Sequence, residues 1–174
     1  MALSVENQQP PVIVVMGVSG VGKTTVARLL AHRLGLPYAE ADDFHPAANI
    51  AKMSAGIPLD DQDREPWLRA LGAWLGERAG AGTGGVVTCS ALKRSYRDIL
   101  RDACPEAYFL HLTGSHDLVG DRIAHRTGHF MPPSLLDSQY ATLEPLQADE
   151  SGTVLDVDAD PDTLVERAVA DLPH

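Results

Sequence analysis

The sequence predicts an α/β protein with a parallel, doubly wound sheet, and two observations carry that prediction. Apolar segments of strand length alternate along the chain with amphipathic segments of helix length, an order that sets parallel strands side by side with helices on both faces. The first apolar segment, Val12–Met16, is continuous rather than alternating, which suits a strand buried on both faces. The chain has 174 residues and no internal repeat or long linker, so we expect one domain over 1–174.

The elements follow in order from local patterns. After the first strand, apolar residues recur at helical spacing over 23–34, and Gly35 is placed to end this helix. A second strand is expected at 37–41. An amphipathic helix over 62–78 then carries Trp67 and Trp74 on its apolar side, where core packing is the better explanation for them. The remaining predicted elements are a strand at 85–89, a helix at 93–102, a strand at 107–112, a helix at 117–126, a strand at 153–157 and a helix at 161–170.

The composition limits the partners and the compartment. A formal net charge of −10 argues against general affinity for nucleic acid or for an anionic membrane surface. No apolar stretch approaches the roughly 20 residues of a membrane span, and residues 1–10 lack a signal-peptide pattern and are expected to form a disordered tail. Cys89 and Cys104 have no metal-binding spacing, so a reducing cytoplasm is the expected compartment. The sequence does not determine the oligomeric state, and a homodimer remains an option.

A glycine-rich segment between the first strand and the first helix matches the pattern G-x-x-x-x-G-K-[ST]. Glycines let the backbone turn tightly and present its N–H groups to phosphate oxygens, and the following helix adds the positive end of its dipole. In this pattern Lys23 reaches the outer phosphates and the Thr24 hydroxyl ligates Mg²⁺. We expect a nucleoside triphosphate to bind along Gly17, Val18, Ser19, Gly20, Val21, Gly22, Lys23, Thr24 and Thr25.

Other segments favour a kinase over other nucleotide-binding proteins. The chain has no Asn-Lys-x-Asp segment of the kind with which GTPases read guanine. The third predicted strand ends Val86-Val87-Thr88-Cys89-Ser90, without the acidic pair that a mechanical ATPase usually places there. Both absences favour phosphoryl transfer to a bound small molecule.

Two carboxylates, Glu40 and Asp42, occur where the second predicted strand ends. Because they alternate along a strand, their side chains point to the same face, beside the phosphate loop, where sheets of this class bind ligands. A kinase needs one carboxylate to accept the proton of the attacking hydroxyl and another to hold Mg²⁺ through water. A solvated acidic turn, or an Asp43 that caps the next helix, explains the same residues, and spacing alone leaves both open.

Basic residues gather on the same side of the predicted sheet, although the chain as a whole is acidic. Such a cluster suggests an anionic acceptor, and arginine is the preferred partner of a carboxylate because its fork matches two oxygens. Each residue also suits an ordinary charged surface. The cluster comprises Lys52, Arg64, Lys93, Arg94 and Arg97.

A pair of arginines marks a candidate lid. Arg122 and Arg126 lie four residues apart on a predicted helix, so they share a face, and a polar turn at 127–133 follows. A mobile lid with two arginines can close over a triphosphate and neutralise charge in the transition state. A surface helix with salt bridges to Asp117 or Asp121 also explains the pair, and spacing alone favours it.

Further segments make the sequence resemble the gluconate kinases, P-loop small-molecule kinases related to the shikimate and adenylate kinases. The glycine-rich loop is common to many nucleotide-binding proteins, but the other shared segments are more specific and span nearly the whole chain in order. They are His45-Pro46, Asn49-Ile50, Lys52-Met53, residues 56–59, residues 63–68, residues 89–93, Tyr96-Arg97-Asp98 and residues 122–130.

The resemblance implies a fold and a reaction. The fold is that of the P-loop nucleoside triphosphate hydrolases, with a five-stranded parallel sheet flanked by helices and a small lid at about 122–140. The reaction is transfer of phosphate from ATP, with Mg²⁺, to D-gluconate. A sibling kinase for shikimate or another sugar acid is the nearest alternative. A nucleotide-dependent binding or regulatory protein is the alternative from another class, and ADP release that requires an acceptor would exclude it.

The resemblance also assigns roles. Asp42 matches the acid near the acceptor hydroxyl, and Arg122 and Arg126 match the arginines of related lids, which act with Lys23 on the transferred phosphate. Thr24 and Glu40 form the expected Mg²⁺ site, although the family often has Asp where this chain has Glu40. The residues expected to contact gluconate are Asp42, His45, Lys52, Arg64, Lys93, Arg97 and His129.

Overall fold

A five-stranded parallel sheet forms the centre of the structure, a computed structural model that describes residues 9–124 and 133–172. The loops that leave the first and third strands run to opposite sides of the sheet, and the crevice between two such loops is where these sheets bind ligands. The order across the sheet is β2-β3-β1-β4-β5. In chain order the strands are β1 (Val12–Met16), β2 (Tyr38–Glu40), β3 (Gly85–Thr88), β4 (Tyr108–Thr113) and β5 (Gly152–Asp156).

Helices cover both faces of the sheet. A short 3-10 helix, Ala41–Phe44, follows β2. Of the helices in the part of the chain that the structure describes, none is long and apolar enough to cross a membrane. The α-helices are α1 (Lys23–Leu34), α2 (Ala47–Ser54), α3 (Asp61–Gly80), α4 (Arg94–Ala103), α5 (His116–Ala124), α6 (Pro133–Thr142) and α7 (Pro161–Asp171).

The predicted fold class is confirmed, and the differences are local. All five predicted strands form, with bounds that shift by at most one residue. The long helix begins at Asp61 rather than at residue 62, because Asp60 and Asp63 form a reciprocal capping box at its start. Helices α2 and α6 and the 3-10 helix were not predicted. Of the tail expected at 1–10, only the last two residues belong to the part described.

The core lies on both faces of β1, whose five side chains are no more than 3% exposed. Ile13 and Val15 point to the face covered by α1 and α7, and Val12, Val14 and Met16 point to the face covered by α3 and α4. This two-sided burial explains why the segment is a continuous apolar run. It also holds the loop after β1 at a fixed place above the sheet.

A buried ion pair supports the loop that follows β3. Arg97 and Glu150 are joined by bonds of 2.7 and 3.0 Å, and neither side chain is exposed. Arg97 also donates to the carbonyl oxygens of Ala91 and Leu92 over 2.8 and 3.4 Å. Ala91 adopts a left-handed conformation with a φ of 46°, which is uncommon for a residue with a Cβ. The guanidinium thus helps to hold this loop in an unfavourable backbone conformation.

The structure corrects the expectation that Arg97 contacts a substrate. Its guanidinium is enclosed and bound to Glu150 and to loop carbonyls, so it reaches no solvent-accessible ligand site. In the structure, Arg97 instead holds the loop after β3 in place through its hydrogen bonds to the carbonyl oxygens of Ala91 and Leu92.

Breaking this ion pair should strongly destabilise the fold. Glu150→Gln leaves the buried Arg97 charge without its partner, a change that removes about 3–5 kcal/mol of stability in comparable sites. We expect that loss in the free energy of unfolding at pH 7, measured by urea titration. Glu166→Gln is the matched control, because its pair with Arg33 is exposed and contributes at most about 1 kcal/mol. Equal losses in the two variants would contradict the assigned role.

The same pair predicts a pH dependence. Burial raises the pKa of Glu150, but hydrogen bonds from Arg97, the Gln147 N–H and Arg101 outweigh it and lower the pKa from 4.5 to about 2. A lowered pKa stabilises the fold above the unfolded value, and that contribution is lost as the pH falls from about 4.5 to about 2. The stability difference between wild type and Glu150→Gln should therefore shrink across this range. A difference that stays constant would contradict it.

Candidate active site

The phosphate loop connects β1 to α1 and depends on glycine. Gly17, Gly20 and Gly22 have φ values of 145, 85 and 106°, which side chains disfavour. A Cβ on Gly17 would lie 2.5 Å from the carbonyl oxygen of Leu112 on β4, so this position also needs the space. The loop turns tightly over the sheet and delivers the chain into α1.

Lys23 opens α1 and folds back over the loop. Its Nζ donates to the carbonyl oxygens of Gly17 and Val18 over 2.9 and 3.1 Å. The ammonium is thereby held at the mouth of the loop, close to the N-terminal end of α1. Two positive fields, the lysine charge and the helix dipole, therefore converge on the same space.

Glu40, at the end of β2, accepts hydrogen bonds from three hydroxyl groups. Thr24 on α1 donates to its Oε1 over 3.0 Å, Thr88 at the end of β3 donates to Oε2 over 2.6 Å, and Tyr38 on β2 also donates to Oε1. Burial raises the pKa of Glu40, but these bonds, led by that of Thr88, outweigh it and lower the pKa. Burial and the same carboxylate raise the pKa of Tyr38 to about 12. Glu40 is thus held ionised, and the Tyr38 hydroxyl stays protonated and donates a hydrogen bond to it.

This arrangement fits a magnesium ion that arrives with a nucleotide. Mg²⁺ prefers oxygen ligands and is usually bound by one or two carboxylates together with substrate phosphates. Thr24 and Glu40 supply a hydroxyl and a carboxylate beside the phosphate loop. Among the described residues, no group of three or more His, Cys, Asp and Glu side chains could hold a metal. The remaining ligands would therefore come from phosphate oxygens and water.

Two cavities meet at Asp42, which is exposed on the 3-10 helix after β2. The phosphate cleft, of about 330 Å³, is lined by loop residues together with Glu40 and Asp42. The acceptor cavity, of about 560 Å³, lies on the other side of Asp42 and is lined by parts of α3, α6 and the loop after β3. Asp42, Trp67 and Ser90 line both. A carboxylate thus stands where a phosphate on the loop and a molecule in the acceptor cavity would meet.

Trp67 on α3 shapes this junction. Its indole N–H donates to the carbonyl oxygen of Ala41 over 2.7 Å, and its ring stacks on His45 at 4.4 Å between centroids. Burial is the main effect that lowers the pKa of His45, so at neutral pH the imidazole is uncharged and can accept as well as donate hydrogen bonds. His45 lines the acceptor cavity, as expected from the sequence. Trp67 was interpreted as core and proves to be both core and cavity wall.

Two of the predicted cations, Arg64 and Lys93, line the acceptor cavity. Both contact Asp61, at 3.8 Å from Arg64 Nη1 and 3.3 Å from Lys93 Nζ. The hydroxyl of Tyr96 donates to Asp61 over 2.6 Å and accepts from Arg64 over 3.0 Å. Tyr96 and Lys93 lower the pKa of Asp61. The cavity wall therefore presents two cations that already bind one carboxylate of the protein.

Two other predicted cations point elsewhere. Lys52 on α2 binds Asp63 over 2.8 Å and so ties α2 to the capping box of α3. Arg94 binds Asp149 over 2.6 Å. Neither lines the phosphate cleft or the acceptor cavity, so the structure does not bring Lys52 to the acceptor cavity, where the sequence led us to expect it.

Arg122 lies on the opposite side of the phosphate loop from the acceptor cavity. It donates to the carbonyl oxygens of Val157 and Val21 over 2.8 and 3.4 Å. It also lines a third space, the side cavity, of about 280 Å³, with Val21, Pro161 and Leu164. Within the described residues Arg122 therefore borders this partly apolar space. Arg126 and His129, and most of the turn of the expected lid, lie outside the described residues.

Sequence reasoning missed several residues of the site. Thr88 ends β3 at the same edge of the sheet as Glu40, so its position in a predicted strand could have revealed it. Tyr38 lies two residues before Glu40 and shares its face, which is also a usable signal. Asp61 and Gln139 belong to elements whose place around the cavity no local pattern predicts.

Known proteins resemble this chain in sequence and in fold. Residues 19–171 match the family model described as "Shikimate kinase". The gluconokinase of Gluconobacter oxydans is 50% identical over 161 residues, which cover 92% of this chain and 90% of that protein. Among solved structures, a gluconokinase from Sinorhizobium meliloti is 47% identical with a TM-score of 0.82, covering 94% of this chain and 92% of that one. A sugar kinase from Janibacter is 55% identical with a TM-score of 0.85, covering 92% and 93%.

The geometry predicts that Lys23 carries the nucleotide chemistry of the phosphate cleft. Lys23→Ala removes the ammonium that faces the phosphates, so turnover of ATP should fall by about 10²–10³-fold, as when one charge-stabilising donor is lost from an active site. Arg33→Ala, which removes an exposed cation from the same helix, should leave turnover unchanged. Circular dichroism will show whether both variants are folded. Near-normal turnover in folded Lys23→Ala would remove this lysine from the mechanism.

Proposed function

The chain belongs to the shikimate kinase family of P-loop kinases and, within it, to the gluconokinases, and we propose that it transfers the γ-phosphate of ATP to D-gluconate. The products are 6-phospho-D-gluconate and ADP. The observation that carries the proposal is the meeting of the phosphate cleft and a cation-lined cavity at Asp42. A kinase for a small anion needs both spaces and a carboxylate between them.

On the nucleotide side, the chain binds and orients the triphosphate. Backbone N–H groups of residues 17–25 surround the phosphates, and Lys23 neutralises charge that develops on the transferred group. The side cavity beside Arg122, Pro161 and Leu164 is the space that we assign to the adenosine part of ATP, since it adjoins the loop away from the acceptor cavity. Arg122 would then contact the nucleotide rather than the transferred phosphate, and Arg126 remains the predicted lid arginine.

Thr24 and Glu40 would hold Mg²⁺, Thr24 by direct coordination and Glu40 through water. When bound, the ion would neutralise charge on the phosphates. The chain's own contribution is to keep this ligand set in place: Thr88 and Tyr38 fix the carboxylate of Glu40, and its low pKa keeps it ionised. Here Glu40 can serve where the family often has the shorter Asp, because Tyr38 and Thr88 hold both of its oxygens.

On the acceptor side, Arg64 and Lys93 bind the carboxylate of gluconate, and His45 binds its hydroxyl groups. This places the far end of the sugar acid at the junction of the cavities, next to Asp42. The terminal oxygen attacks the γ-phosphorus, the bond from that phosphorus to the β-γ bridging oxygen breaks, and Asp42 accepts the hydroxyl proton. ADP leaves with the electron pair of the broken bond.

The shikimate kinases provide the second candidate function, because their model matches the chain and a shikimate carboxylate would suit the same cations. Both substrates are anions, so the cations do not discriminate between them. Gluconate is favoured because relatives at 50% and 47% identity are gluconokinases. As the compartment we propose the cytoplasm, where the buried thiols of Cys89 and Cys104 would stay reduced.

The role of Asp42 gives a prediction with a close control. Asp42→Asn keeps the shape and removes the charge, so kcat should fall by about 10²–10⁴-fold, the usual contribution of a general base, while ATP binding is retained. Asp43→Asn makes the same change one residue away, on a side chain that lines neither cavity, and kcat should be unchanged. If Asp42→Asn stays active and Glu40→Gln does not, the wrong carboxylate has been assigned.

The anionic acceptor gives a second prediction. Arg64→Met removes a cation that would pair with the substrate carboxylate, so KM for gluconate should rise by about 5- to 150-fold, equivalent to about 1–3 kcal/mol, while KM for ATP changes little. Arg69→Met is the matched control, because Arg69 is an exposed arginine of the same helix.

The wild-type enzyme supplies the complementary comparison, kcat/KM for gluconate, glucose and shikimate on one preparation. We expect gluconate to be used efficiently and glucose poorly, because glucose has no carboxylate to pair with Arg64 and Lys93. Equal use of glucose would contradict the anion site, and a preference for shikimate would assign the chain to the other branch of the family.

A further inference from the structure

The side chain of Gln139, on α6, forms two hydrogen bonds to Ser19 in the phosphate loop. Its Oε1 accepts from the backbone N–H of Ser19 over 2.6 Å, and its Nε2 donates to Ser19 Oγ over 2.9 Å. The two residues are 120 positions apart. Backbone N–H groups of this loop are the groups that bind phosphate oxygens. An amide of the protein therefore occupies a donor that lies in the nucleotide site.

Gln139 also belongs to the other substrate site. Its side chain lines the acceptor cavity, whereas Ser19 lines the phosphate cleft. The two spaces share Asp42, Trp67 and Ser90 as their common wall. Gln139 thus reaches from one cavity to the other beside the point where the phosphoryl group would be transferred.

We propose that Gln139 is a positioning residue that couples the binding of the two substrates. Without ligands its amide holds the Ser19 N–H. When a polyhydroxy acid fills the acceptor cavity, the amide turns to a substrate hydroxyl and frees that N–H for a phosphate oxygen. The acceptor then strengthens nucleotide binding, and by linkage the nucleotide strengthens acceptor binding by the same factor. The identity of the acceptor as gluconate rests on the proposed function.

The size of the effect follows from the exchange of hydrogen bonds. A net hydrogen bond of this kind changes an equilibrium by about 2- to 10-fold. Gluconate should therefore tighten the binding of a non-hydrolysable ATP analogue to the wild-type enzyme by about that factor. A purely structural contact between α6 and the loop predicts something different: its loss would loosen the loop and weaken nucleotide binding in every variant.

Two substitutions move nucleotide affinity in opposite directions under this proposal. Gln139→Ala removes the competitor for the Ser19 N–H, so the ATP analogue with Mg²⁺ should bind about 2- to 10-fold more tightly in the absence of gluconate. Gluconate should then have no further effect. Gln139→Glu keeps the shape and still accepts from the N–H, but with a charge that strengthens that bond and repels phosphate. Binding of the analogue should weaken by about 10-fold or more.

Isothermal titration of the analogue, with and without gluconate, measures these changes. Gln9→Glu is the matched control. It makes the same substitution just before the N-terminal end of β1, whereas the phosphate loop follows the C-terminal end of that strand. It should not change the affinity for the analogue, with or without gluconate. Thermal unfolding will show whether Gln139→Ala is folded. If it is not, Gln139→Met carries the test with the same expected tightening, because it keeps the length of the side chain and removes both hydrogen bonds to Ser19.

Three results would overturn the proposal. The first is weaker or unchanged binding of the analogue in folded Gln139→Ala, and the second is a full effect of gluconate in that variant. The third is that gluconate has no effect on analogue binding in a wild-type enzyme that does phosphorylate gluconate. If wild type does not phosphorylate gluconate, the proposed function fails instead. The analogue titrations without acceptor then still decide whether Gln139 competes for Ser19.

Discussion

The carboxylate of Glu40 is the constraint around which the site is built. A partly buried charge must be satisfied by hydrogen bonds, and here the donors are Thr24, Thr88 and Tyr38, which come from α1, β3 and β2. Satisfying this one group fixes the start of α1 relative to two strand ends. The phosphate loop lies immediately before α1, and Asp42 lies two residues after Glu40. This cluster of hydrogen bonds therefore helps to set the distance between the phosphate loop and Asp42.

The acceptor side depends on a second buried charge, that of Arg97. Its pairing with Glu150 lies beneath the loop after β3 and supports the strained conformation of Ala91. That loop carries Ser90 and Lys93 into the cavities. The enzyme therefore uses one enclosed ion pair to position a loop, while the more exposed cations Arg64 and Lys93 are left to meet the substrate.

Local patterns predict the sheet, the phosphate loop and the strand-end carboxylates, because each depends on residues close in sequence. The continuous run of β1 and the glycines of the loop are of this kind. The assignment of Arg97 was wrong in role because burial depends on Glu150, 53 residues away, which no spacing reveals. Gln139 was not predicted for a similar reason. Its helix has no strong helical periodicity of apolar residues, and its partner Ser19 lies 120 residues earlier. The sequence thus predicts chemistry at the ends of strands better than contacts between distant helices and loops.

In the proposed reaction, a phosphate on the loop meets the far hydroxyl of a sugar acid whose carboxylate is held by Arg64 and Lys93. The most direct test is phosphorus and carbon NMR of the product formed from ATP and gluconate labelled with ¹³C. We expect a single phosphate monoester, with phosphorus coupled to the terminal CH₂ carbon farthest from the carboxylate. A phosphate on another oxygen, a mixture of esters, or ADP release without any ester would contradict it.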